Sequence, residues 1–303
     1  MRSPREIVDG VLVLRTMLVN VYVIREGSSW VLVDTGLGGY ARRIREVALG
    51  YVGSRKPPAA IVLTHGHFDH VGSLDDLLSE WDVPVYAHRL ERPYLTGRSP
   101  YPPPDPLVGG GSMSLLSRLY PRGPIDIGDR YRELPEDGLL PALPGWRWIA
   151  TPGHTAGHVS LFRERNRVMI AGDAVVTTKQ ESVFAVATQR PELHGPPAYF
   201  TQDWQAARDS VQRIAAIEPD VLAAGHGEPL KGAAMRRDLV TLGALFDQTE
   251  LPSSGRYAKQ PAVTDENGIV LLPPDPLPRV LAGAVVAAAV AWGISARTRH
   301  RPV

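Results

Sequence analysis

Residues 60–64 form a continuous apolar run, Ala60-Ile61-Val62-Leu63-Thr64, that breaks directly into His65-Gly66-His67-Phe68-Asp69-His70. This junction constrains the chain more than any other stretch. An unbroken apolar run of this length reads as a strand buried on both faces. Four ligand-type side chains within six residues then follow it. Burying imidazole and carboxylate groups without partners is costly, so a core strand rarely ends this way for packing alone. In extended backbone His65 and His67 point to the same side. Asp69 and His70, at the turn into a helix, can converge on a neighbouring point. The cluster suits a metal ion better than a packing role.

The same grammar recurs three times, as a short apolar strand ending in a turn with His or Asp. The segments are Ile149-Ala150-Thr151-Pro152-Gly153-His154-Thr155-Ala156-Gly157-His158, then Met169-Ile170-Ala171-Gly172-Asp173, then Val221-Leu222-Ala223-Ala224-Gly225-His226-Gly227. Strand ends gathered on one sheet edge are where α/β proteins build sites. The chain has no cysteine. Disulfides, thiolate nucleophiles, Cys-ligated zinc and Cys-ligated iron–sulfur clusters are therefore excluded. A metal here must use His and carboxylate donors, and the chain holds nine His.

The strand signals at 7–14, 20–25 and 30–34 are separated by the turn-like pairs Asp9-Gly10 and Gly27-Ser28, and predict antiparallel strands. Helical spacing follows over 41–49, ending near Gly50. Residues 73–81 predict another helix with Ser73 as N-cap. Strands are expected at 83–87, 146–151, 159–163, 168–171 and 221–224, and helices at 203–217 and 230–247. Residues 93–124 hold eight prolines and Gly109-Gly110-Gly111. They read as a long loop or lid, with one helical turn near 113–120. A second irregular stretch covers 175–200. The organisation expected is a catalytic domain over 1–251 with the 93–124 insertion, a Pro-rich linker over 252–279, an apolar Ala-rich helix over 280–296, and a basic tail over 297–303.

In this order, Leu32-Val33-Asp34-Thr35-Gly36, the His65-to-His70 motif, the His154 segment, Gly172-Asp173 and Gly225-His226-Gly227 resemble the metallo-β-lactamase-fold hydrolase superfamily over residues 5–250. The glyoxalase II-like and lactonase-like branches are the most similar. The resemblance implies an α/β fold, an αββα sandwich of two mixed β-sheets flanked by helices. Carried over by position, it implies one metal on His65, His67 and His154, a second on Asp69, His70 and His226, and Asp173 bridging the two. Zinc suits such donors, and iron or manganese can use the same set. The implied chemistry is attack of a metal-bridging hydroxide on an ester-like carbonyl, with Asp69 orienting the nucleophile and relaying its proton. Asp34 resembles the family's structural Asp, supporting the metal-ligand loop. His158 is read as a hydrogen-bonding partner, and His88, His194 and His300 as ordinary residues.

Several departures bear on the substrate, which is expected to be a small molecule. The missing cysteine excludes the Cys-ligand type of metallo-β-lactamase. Acyl-homoserine lactonases of the family often carry Tyr three residues after the bridging Asp, where this chain has Val176. Basic and Tyr residues for a glutathione moiety are matched only by Lys179. A mono-iron persulfide dioxygenase, a metal-dependent nuclease and a non-catalytic scaffold remain as alternatives. Net charge is +1, and the four Arg from Leu277 onward leave the preceding part near −3. That balance argues against a nucleic-acid partner.

The uncharged run 280–296 would span about 25 Å as a helix, against roughly 30 Å of hydrocarbon. Flanking Arg side chains can snorkel to make up the difference. It is expected to anchor the enzyme on the cytoplasmic side of a membrane, the alternative being an Ala-rich helix packed on the body. The N-terminus lacks the pattern of a signal peptide.

Overall fold

Alternation along the first strands decides the layering. Val11 and Val13 enter one apolar cluster while Leu12 and Leu14 enter another, as a period of two requires. The same split recurs at Ala60 and Val62 against Ile61 and Leu63. Each face of the sheet is therefore a core face. The computed structural model describes residues 3–276 and Pro278; the run 280–296 and the basic tail lie outside the described residues.

One sheet has seven strands in chain order: β1 (Arg5–Val8), β2 (Val11–Thr16), β3 (Val19–Glu26), β4 (Ser29–Val33), β5 (Ala60–Val62), β6 (Val85–Ala87) and β7 (Tyr131–Glu133). The β1–β4 pairings are antiparallel, and those from β4 to β7 are parallel. The other sheet has five strands: β8 (Trp146–Ala150), β9 (Val159–Arg163), β10 (Val168–Gly172), β11 (Val221–Ala224) and β12 (Leu230–Lys231). Their order is β12-β11-β10-β9-β8. Only β10 and β11 are parallel within it. The inner faces meet through Val13, Tyr22, Val33, Val62, Leu161 and Ile170. Helices α1 (Ala41–Val52), α2 (Phe68–Val71) and α3 (Leu74–Glu80) follow strands of the first sheet, with Ile44 and Leu77 packed on its outer face. Helices α4 (Arg92–Leu95), α5 (Ser112–Leu116) and α6 (Val183–Thr188) are short, and α7 (Trp204–Ile217) and α8 (Gly232–Thr249) cover the second sheet. This is the αββα sandwich.

Helix α7 shows why the second layer forms. Trp204, Ala207, Val211 and Ile214 are buried at spacings of three and four, one face of a helix. The Asp203 side chain accepts the Ala206 N–H at 3.0 Å, closing the N-terminus.

Several boundaries differ from the sequence reading. Helix α1 passes through Gly50 to Val52 and stops at Gly53, whose left-handed backbone lets its N–H reach Leu49 O. Ser73 precedes α3 but makes no side-chain cap. Its hydroxyl instead accepts the Tyr40 N–H at 3.1 Å and donates to Leu37 O at 2.5 Å. The 93–124 stretch carries short helices α4 and α5 and buries Tyr94 and Tyr101, while Leu115, Leu116 and Leu119 stay exposed. The 252–276 part of the expected linker also packs. It holds the hairpin β13 (Val263–Asp265) and β14 (Gly268–Leu271), buries Tyr257, and joins the body through Ala262 N–H to Gln202 O at 3.0 Å. Proline suits such irregular, edge-lying backbone as well as a free tether. Among the described residues no helix is long and apolar enough to cross a membrane.

Asp203→Ala removes the N-cap of α7 and is expected to cost about 1 kcal/mol, read as a lower denaturation midpoint with unchanged slope.

Candidate metal centre

Strands β4, β5, β8, β10 and β11 each release their chain into a ligand-bearing turn. Asp34 follows β4, His65 to His70 follow β5, His154 follows β8, Asp173 follows β10 and His226 follows β11. The turns meet where the two sheets abut. His65, His67 and His154 place one donor atom each within 4.8 Å of one another, as do His65, His70 and Asp173, and Asp69, His70 and His226. Asp173 reaches His70 Nε2 at 3.5 Å, His154 Nε2 at 3.6 Å and His226 Nε2 at 3.1 Å. His226 Nε2 also lies 3.4 Å from Asp69. All seven residues singled out in the sequence are thus brought together. Six are buried, and Asp69 is the least buried of the set.

The unused nitrogens are held in place. Asp34 Oδ1 accepts the Thr64 N–H at 2.8 Å, and Oδ2 accepts the Thr64 hydroxyl at 2.8 Å. With its proton so committed, Thr64 Oγ1 accepts from His65 Nδ1 at 3.1 Å. His70 Nδ1 faces Asp34 Oδ2 at 2.9 Å, and His226 Nδ1 faces Leu18 O at 3.1 Å. Each pairing engages Nδ1 and aims Nε2 at the cluster. His158 acts as read: its Nε2 accepts the Asp173 N–H at 2.9 Å, and its Nδ1 faces Thr151 Oγ1 at 2.9 Å.

Charge follows the same division. Burial pushes His65 and His154 well below the usual imidazole value, assisted by neighbouring histidines. It lowers His67 to about 4 and His158 to about 3. Those rings are neutral at neutral pH, the form that binds metal. Burial acts the same way on His70 and His226. There the carboxylates of Asp173 and its neighbours outweigh it, so His70 is raised well above the usual value and His226 to about 10. Burial raises Asp69 and Asp173, but His70 and His226 carry both below the ordinary carboxylate range.

The donor set fits divalent metal ions. His65 Nε2, His70 Nε2 and Asp173 Oδ1 are buried without a hydrogen-bond partner, an arrangement native interiors avoid. His67 Nδ1 and His154 Nε2 face each other at 3.0 Å. A Cβ at Gly225 would run into Asp173 Oδ1 and come within 2.9 Å of His70 Cε1, so glycine keeps this space open.

Sequence reasoning missed the supports. Glu91 is fully buried and ties both donor loops together. It accepts the Gly66 N–H at 3.0 Å, the Thr155 hydroxyl at 2.6 Å, the Gly157 N–H at 3.1 Å and the Tyr101 hydroxyl. A Cβ at Gly157 would lie 2.7 Å from the Glu91 carboxylate. Burial raises the Glu91 carboxyl, and the four donors oppose that. Buried Arg15 pairs with Glu228 at 2.7 Å and donates to Gly227 O at 2.9 Å, fixing the His226 turn to β2. An Arg inside an apolar strand run was the available signal. Phe200 stacks on His67 at 4.5 Å. Phe68, Tyr120 and Tyr199 extend this aromatic wall.

The remaining histidines lie apart. His88 caps a short 3-10 turn by accepting from Leu90 N–H at 3.3 Å. His194 sits between Glu192 at 3.6 Å and Glu250 at 3.8 Å. His300 is outside the described residues.

The comparisons agree with this geometry. The profile of the Metallo-beta-lactamase superfamily matches residues 14–226. "Probable metallo-hydrolase YflN" of Bacillus subtilis (strain 168) is 48% identical over 240 residues, covering 78% of this chain and 91% of that protein. "Probable metallo-hydrolase YybB" of the same organism is 30% identical over 212 residues, covering 70% and 82%. Among solved structures, the metallo-beta-lactamase family protein TTHA1429 from Thermus thermophilus superposes with a TM-score of 0.55 at 22% identity, covering 80% of this chain and 81% of that one. The chain belongs to the metallo-β-lactamase superfamily. Its class is that of the metallo-hydrolases.

Two measurements follow. Glu91→Gln turns an acceptor into a group that opposes two of its four donors. It is expected to weaken divalent-metal binding by roughly 10–100-fold in a metal titration. The second concerns His194. Burial lowers its pKa, but hydrogen bonding to Glu250 and the charges of Glu250 and Glu192 raise it above the ordinary value. The stabilisation is therefore complete below the unfolded pKa of about 6.5 and is lost as pH rises through the folded-state value. His194→Gln should lower stability at about pH 6 and lose that effect in alkaline denaturation series.

Proposed function

We propose that the chain hydrolyses an ester-like carbonyl, a thioester or lactone of a small molecule, at a two-metal centre that takes zinc. One observation carries the reading: two trios of N/O donors share one sheet junction, with Asp173 set between them. In this reading His65, His67 and His154 hold one ion, Asp69, His70 and His226 hold the other, and Asp173 serves both. Such ions supply a nucleophilic hydroxide near neutral pH and polarise a carbonyl. The intact second trio favours two metals over the single iron of a persulfide dioxygenase.

The protein's own groups do the rest. Asp69, the least buried donor residue, orients the attacking oxygen and takes its proton. Tyr120 and Tyr199 lie in the field of Asp69, and burial with that charge raises both phenols above their ordinary value. They remain protonated at neutral pH and can donate to the substrate's oxygens. Val176, where acyl-homoserine lactonases often have Tyr, is buried. The phenols here come from other segments. Phe68 and Phe200 offer apolar surface to an acyl or leaving group. The run 280–296 anchors the enzyme on the cytoplasmic side of a membrane, and nucleic acid is not a partner in this reading.

The test compares initial rates of the zinc- or manganese-loaded full chain on a glutathione thioester and an acyl-homoserine lactone. His67→Ala is expected to lose metal and activity together. Asp69→Asn is expected to lower kcat by about 10²–10⁴-fold. Full activity in His67→Ala overturns the assignment. Rates on both substrates no higher than that of His67→Ala would remove both named specificities.

A further inference from the structure

Exposed apolar side chains gather on two segments, one of which joins the aromatic wall of the metal centre through Tyr120. Leu115, Leu116 and Leu119 are 68%, 47% and 79% exposed, and Val183 and Phe184 are 48% and 71% exposed. The two segments touch, since the Met113 N–H donates to Glu181 O at 3.2 Å. Residues 109–125 and 182–190 contain no acid but include Arg118, Arg122 and Arg190. The patch is therefore apolar, with Arg122 and Arg190 in the segments that carry it and Arg118 paired to Asp275. Tyr120, next to Leu119, packs 5.7 Å from Phe68 and 6.0 Å from Phe200 in the aromatic wall.

The course of the chain adds a second observation. Asp275 is ion-paired to Arg118 within this patch and to Arg256 at 3.0 Å. The uncharged run 280–296 begins five residues later. The run therefore starts within a short tether of the leucines.

We propose that this patch rests on a lipid bilayer carrying anionic headgroups. A run without a charge and with no polar face, laid over the patch, would still leave its own outer side in water. A bilayer accommodates both the run and the leucines, and its phosphates complement Arg122 and Arg190. The aromatic wall of the metal centre then adjoins the lipid surface, and an amphiphilic ester reaches it from the membrane.

The chain has no cysteine, so one introduced thiol takes one label. The full chain bearing Leu119→Cys, or Asp82→Cys as control, is labelled with an environment-sensitive fluorophore. It is then mixed with vesicles of phosphatidylcholine and brominated phosphatidylglycerol. Asp82 is exposed and precedes β6, at the sheet edge away from the His65 end of β5. Blue-shifted, bromine-quenched emission at position 119 with none at 82 is the expected result. Vesicle-bound protein with no change at 119 overturns the proposal, as does a blue shift present before lipid is added, which would mean the chain covers its own patch. A shift that tracks protein concentration without lipid would show a second copy there and also overturn it. Leu116→Asp combined with Leu119→Asp should weaken vesicle partition by at least about tenfold and leave hydrolysis of a water-soluble ester unchanged. Undiminished partition in that variant counts against the patch. None of the binding readouts depends on which bond the enzyme cleaves.

Discussion

The site hangs on Asp34. It sits at the end of β4 with left-handed backbone, φ 58°, which Asp tolerates better than most residues. Its carboxylate accepts the amide and hydroxyl of Thr64 and faces His70 Nδ1. That one group fixes the start of the β5 turn, and through Thr64 the ring of His65. Its grip on His70 fixes the turn's far end. The parallel register of β4 on β5, Val33 opposite Val62, places the carboxylate there. Sheet pairing thus becomes donor geometry through one side chain.

A second buried carboxylate does for the other sheet what Asp34 does for the first. Glu91 spans the His65–His67 turn and the turn after His154, which come from different sheets. Buried carboxylates left unpaired would be strongly destabilising. Each is here surrounded by donors that belong to the ligand loops. Loosening a loop therefore also exposes a poorly satisfied charge, which couples the geometry of the centre to the stability of the fold.

What the sequence made legible divides along range. His65, His67, Asp69 and His70 lie in one short motif, and His154, Asp173 and His226 each end an apolar strand, so local pattern exposed them. Strands at 159–163 and 221–224 were read to the residue because their apolar runs are sharply bounded. Glu91 was invisible: three of its four partners lie 25, 64 and 66 residues away, and nothing local marks a Glu in Arg89-Leu90-Glu91-Arg92 as buried. The Pro-rich stretches misled for a related reason. Proline forbids regular ladders, which reads as loop or tether, yet Tyr101 and Tyr257 pin such backbone to the body. Burial of an irregular segment leaves no periodicity to detect.

The electrostatics of the centre explain why it needs so many anions. Asp34, Asp69 and Asp173 surround His70, and Asp69 and Asp173 flank His226. This field raises those two imidazoles above their ordinary value, whereas burial lowers His65, His67 and His154 below it. The two halves of one cluster, built from the same residue types, are distinguished by how many carboxylates each imidazole faces.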